Sequence, residues 1–77
     1  MAESGLQLPE MAALARQLVA FDHELADDLA AHLVAMADEI AGHPGRDELA
    51  AKERVRRYRT LSGLIRRERA VRTIRPA

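Results

Sequence analysis

Three kinds of residue in this 77-residue chain could carry chemistry: a carboxylate set in an apolar stripe, histidines beside carboxylates, and a run of arginines. The carboxylate is Asp22. In "LVAFDHELADDLAAHL", residues 18–33, Leu18, Phe21, Leu25, Leu29 and Leu33 recur at helical spacing, and Asp22 falls inside their stripe. A buried ionised carboxylate must find a cation or take up a proton, because leaving it unpaired costs too much. Arg54 and Arg57 fall near its level if the chain folds back about residue 44. The expectation is a structural polar pair, Asp22 with Arg54 or Arg57, that fixes the register of two helices. Such a pair favours specificity more than stability. The alternatives are Asp22 at the margin of the core, reaching water, or Asp22 as a catalytic carboxylate.

The histidines offer less. His23 and Asp27, Asp28 and His32, and Glu39 and His43 are each four residues apart, so each pair could give two ligands to a metal. The Glu-x-x-His spacing of di-iron helical bundles is missing, since Ala20, Leu29 and Ile40 stand where its glutamates would be. His23 and His32 are nine apart and face opposite ways on a helix. Solvated histidines beside carboxylates are expected, and no metal site. His32, at the edge of the stripe, could also pack as a neutral imidazole; at a subunit interface, its protonation would weaken assembly. Nucleophilic chemistry finds only Ser4 and Ser62, neither near a histidine, and no cysteine. No glycine-rich phosphate loop exists either, so no catalytic residue and no cofactor is expected.

The arginines belong to a sharp division of charge. Residues 1–48 hold ten acidic side chains against Arg16 and Arg46, and residues 49–77 hold ten basic ones against Glu53 and Glu68. The formal net charge is nevertheless zero. Arg66, Arg67, Arg69, Arg72 and Arg75 extend past the region opposite most of the acids, and they mark the expected surface for a partner. That partner is either an acidic protein surface or a nucleic-acid backbone, whose phosphates such groups neutralise. Only Tyr58 supplies a stacking ring among them, and the arginines point all round the helical wheel.

The elements that must position these residues are helices. Pro9 suits a first helical turn and Glu10 the positive end of the helix dipole. Apolar residues then step by three or four from Met11 to Ile40, and no Gly or Pro intervenes until "GHPGR", residues 42–46. A second segment opens at Asp47 and Glu48 and runs to Pro76, with Ala51, Val55, Tyr58, Leu61 and Ile65 on one stripe. Gly63 leaves two possibilities, a continuous second helix or a break that makes a third. The expected fold is all-α: an antiparallel hairpin of helices over about 9–41 and 47–75, joined by a turn at 42–46, in one domain spanning 1–77. Residues 1–8 read as a disordered polar lead-in, and 76–77 as a tail. Few aromatics and many alanines make a lone hairpin marginal, since small side chains bury little area. Pairing of two hairpins into a homodimeric four-helix bundle is the expected remedy, and a monomeric three-helix bundle folded at Gly63 is the rival.

"RQLVAFDHELADDLAAHL" followed by "ERVRRYRTL" resembles the first and second helices of the all-helical chorismate mutases, which form intertwined dimers. The resemblance rests on apolar spacing with Asp22 and Glu24. That family's active site uses arginines and a lysine on these helices. Ala15 and His32 stand where its first-helix arginines would fall, and the lysine position lies near His43. A third long helix is also missing, so no catalytic residue carries over.

No apolar run reaches the roughly 18 residues that span a bilayer, and no signal segment opens the chain, so no membrane contact and a cytoplasmic location are expected. The functional expectation is a small non-catalytic helical adaptor, regulator or accessory subunit working by helix–helix interaction with another protein. A small nucleic-acid-binding regulator using the arginine-rich helix is the alternative, and a chorismate-mutase-like helical enzyme the third reading.

Overall fold

The computed structural model describes residues 7–74, and the side chains of residues 7–72. The chain is all-helical: α1 is Leu8–Phe21, α2 is His23–Gly42 and α3 is Glu48–Ile74. Residues 1–6 of the expected lead-in, Arg75 and the tail lie outside the described residues.

The expected single helix over 9–41 is two helices, and the hairpin is a set of three. The break falls at Asp22. Its backbone is extended, with φ −161° and ψ 100°. Its N–H donates to the Leu18 carbonyl at 3.0 Å, closing α1, and its own carbonyl accepts from Ala26 N–H at 3.0 Å, opening α2. The Asp22 carboxylate accepts from the backbone N–H groups of Glu24 and Leu25, both at 3.1 Å. Those donors have no intrahelical partner in a first turn, which is why Asp is favoured at that position. The expected buried pair of Asp22 with Arg54 or Arg57 is therefore corrected. Asp22 is exposed, and its charge is engaged by a helix N-terminus rather than by a guanidinium.

The other boundaries use familiar chemistry. Pro9 sits in the first turn of α1, and the Glu10 carboxylate accepts from the Gln7 N–H at 2.6 Å. The α2 helix ends where His43 N–H donates to the carbonyls of Glu39 and Ile40, just before Pro44. Gly45 carries φ +81°, a left-handed conformation that only glycine enters cheaply. Asp47 then caps α3, its carboxylate accepting from Ala50 N–H at 3.0 Å. The α3 helix runs unbroken through Gly63, so the third helix arises at Asp22 and not at Gly63.

Packing follows from the two connections. The α2 helix lies antiparallel to α3, as Asp38 reaches Arg59, Ala30 meets Ser62 and Asp27 reaches Arg69 in succession. The α1 helix folds back at Asp22 and runs parallel to α3, with Met11 beside Arg57 and Thr60, and Ala20 beside Arg72. Contact between α2 and α3 is the most extensive, and α1 leans more on α3 than on α2. With α3 between the other two, the molecule is flattened, measuring 50 × 29 × 16 Å.

The core is built from small residues. Ala26, Ala30, Leu33 and Ala37 of α2 are buried at a spacing of four, three and four, against Ala51, Val55, Ser62 and Ile65 of α3. Met11, Ala15 and Val19 are the buried residues of α1. Of the large residues in the expected stripe, Met11 and Leu33 are in the core and the others sit aside. Leu18 and Leu29 are half-buried against the core, while Phe21 and Leu25 stand in the open.

Candidate interaction surface

The helical geometry of about 100° per residue sorts the remaining side chains onto the two broad sides of this layer. One side is apolar. The α1 helix contributes the ridge Leu14, Leu18 and Phe21, spaced four and three. The α2 helix contributes Leu25, Leu29 and Met36, and α3 adds the half-buried Leu61 between them. Phe21, the only phenylalanine, is 80% exposed, and Leu25 is 49% exposed. Both lie at the α1–α2 corner that Asp22 creates, so the cap that breaks the helix also presents them.

The opposite side is basic. Lys52, Arg56, Arg59, Arg66 and Arg67 are all exposed and share the face of α3 turned away from Leu61 and Ile65. Gly63 lies in the middle of that face, with nothing within 4 Å of where a Cβ would stand. Part of this charge is neutralised. Arg59 pairs with Asp38 at 3.0 Å across to α2, and Arg56 pairs with Glu53 at 3.0 Å within α3. Lys52, Arg66 and Arg67 make no ion pair among the described residues.

The arginines expected to meet a partner thus divide. Arg66 and Arg67 point outward, while Arg69 is half-buried and lies 3.1 Å from the Asp27 carboxylate. Arg72 pairs with Glu68 one turn earlier at 3.0 Å. Arg75 is outside the described residues. Arg54 and Arg57 are exposed, without an ion pair, on the same ridge of α3 as Leu61 and about two and one turns before it, and so they close the apolar side at the end where α3 begins.

An open cleft of about 520 Å³ lies at the turn end of the α2–α3 pair, with Ile40, Ala51 and Val55 as its floor and Lys52, Arg56 and Arg59 along its wall. Glu48 is the only acid among its described lining residues. It brings no nucleophile beside a base, which acyl or phosphoryl chemistry would need. His23, His32 and His43 are all exposed, and no group of three metal-binding side chains comes together among the described residues.

No protein-family model matches this chain, and neither a characterised protein nor a solved structure matches it. Function is therefore argued from its surfaces. Sequence reasoning placed Phe21 and Leu25 in one apolar stripe with Leu18, Leu29 and Leu33, without separating the members that close inward from those that face out. The missed signal was the spacing of Ala26, Ala30 and Ala37, which with Leu33 form the buried face of α2. Ser62, considered as a nucleophile, is the one buried polar residue among those described. No described helix is long and apolar enough to cross a membrane.

Proposed function

We propose that this chain is a small non-catalytic helical adaptor or accessory subunit that acts by helix–helix association through its apolar side. The observation that carries this is the exposure of Phe21 and Leu25 at the end of a continuous ridge formed with Leu18 and Leu29. A single exposed leucine needs no explanation, but a contiguous apolar patch rimmed by charge marks a protein contact. Aromatic anchors such as Phe21 are the residues that association surfaces use most effectively. The reading supposes a cytoplasmic setting. Its test is affinity capture with the full chain beside a Phe21→Glu/Leu25→Glu variant that keeps its helical circular dichroism. A specific protein held by the former and lost with the latter supports the reading; identical capture profiles count against it.

A second reading has its own observation, the cationic stripe from Lys52 to Arg67 on the outer side of α3. These groups would neutralise phosphates and make the chain a small nucleic-acid-binding regulator. With roughly four phosphates engaged, the logarithm of the binding constant should fall with log salt at a slope of about −3 to −4. Absence of any duplex DNA or RNA binding at low salt would remove it.

A further inference from the structure

We infer that the apolar side is covered by a second copy of this chain, giving a two-fold homodimer whose basic sides face outward. The inference rests on the adaptor reading and names the first occupant of its surface. Three observations lead to it.

The first is shape. The layer has a broad side 50 by 29 Å in extent and is only 16 Å thick, a shape along which a second copy can lie. The second is the thinness of the core. Its closest seam is made of alanines, which hold helices near one another but bury little area each. A 77-residue chain of this kind gains most from a second apolar layer, and two copies stacked on this side would bury the leucine ridges of both.

The third is the rim, which is self-complementary. Arg54 and Arg57 border the apolar side on α3, and Asp28 and Glu39 border it on the outer flank of α2. None of the four has an ion pair among the described residues. A two-fold contact presents the same patch to itself, so charges at its rim pair across it rather than repel only if the patch carries both signs. This one does. The basic sides, by contrast, would repel one another if stacked, which selects the apolar side for self-association.

Sedimentation of the full chain, from micromolar to sub-millimolar, tests the inference. A mass of twice 8.5 kDa is expected, returning to one chain mass in Phe21→Glu/Leu25→Glu with helicity retained. The rim variant Arg54→Glu/Arg57→Glu, which makes the border wholly acidic, should raise the dimer Kd about tenfold. A concentration-independent monomer overturns the inference but leaves the adaptor reading to its capture experiment. A dimer that survives Phe21→Glu/Leu25→Glu and is lost in Arg66→Glu/Arg67→Glu also overturns the inference, because self-association would then use the opposite side, and the adaptor reading again rests on its capture experiment.

Discussion

The Ser62 hydroxyl donates a 2.9 Å hydrogen bond to the backbone carbonyl of Ala30, across the buried centre of the α2–α3 interface. Ser62 is 2% exposed and Ala30 1%. This contact fixes the sliding of α3 along α2, the role that the sequence had assigned to Asp22. It does so with a neutral hydroxyl, so no ion has to be desolvated. Ser62→Ala should lower stability by about 1 kcal/mol or less, since the lost bond is partly offset by alanine's higher helix propensity. Ser62→Leu should cost about 1–3 kcal/mol, because the seam has no room for three more carbons. Urea midpoints at constant m-value check both.

The two donors held by Asp22 make a different prediction. Asp22→Ala leaves the N–H groups of Glu24 and Leu25 without their side-chain acceptor and should cost about 1 kcal/mol. Asp22→Asn keeps a capping oxygen and should be nearly neutral. A buried ion pair would respond in the opposite way, with Asn strongly destabilising. Thermal melts of the two variants at neutral pH separate the accounts.

Burial distinguishes Ile65 from Phe21 despite their similar hydrophobicity. Ile65 is fully buried where the helices converge, so Ile65→Ala should cost about 2–5 kcal/mol. Phe21 is 80% exposed on the single chain, so Phe21→Ala should change the stability of a dissociated chain by about 0.5 kcal/mol or less. Chemical denaturation at low protein concentration reads the intrachain effect.

Gly63 interrupts neither α3 nor its packing. A methyl group there would meet nothing within 4 Å, and the residue is interior to a helix. Gly63→Ala should therefore stabilise by about 0.5–1 kcal/mol, by reducing the freedom of the unfolded chain. An unchanged or lowered melting temperature would count against a continuous α3.

The ion pairs between α2 and α3 should matter unequally. The Arg69 and Asp27 side chains are 32% and 46% exposed, against 54% and 65% for Arg59 and Asp38. Both pairs are wet, and each is worth about 1 kcal/mol or less. Arg69→Ala should cost more than Arg59→Ala, and added salt should shrink both effects. Double-mutant cycles with Asp27→Ala and Asp38→Ala isolate the coupling.

Much of the architecture could be read from the residues alone. Apolar spacing from Met11 to Ile40, the "GHPGR" stop and the capping chemistry of Asp47 each act over a few residues, so the all-helical class and the start of α3 are local properties. The division of acids and bases likewise indicated α2 beside α3, and Asp38–Arg59 and Asp27–Arg69 are its realisation. The break at Asp22 was hidden because the buried positions on either side stay in phase: Met11, Ala15 and Val19 continue into Ala26, Ala30 and Ala37 as if one helix ran through. Only the chance to pack α1 back along α3 makes ending the helix there favourable, and Asp22 is the residue able to cap the new start. Which face closes inward was also a tertiary decision. Leucines and alanines lie on adjoining stripes, and close approach to Ser62 and Val55 favours the smaller side chains, turning Phe21 and Leu25 outward. Local sequence determined that there would be helices and where α3 begins; the competition among faces for one another determined their number and which residues the solvent meets.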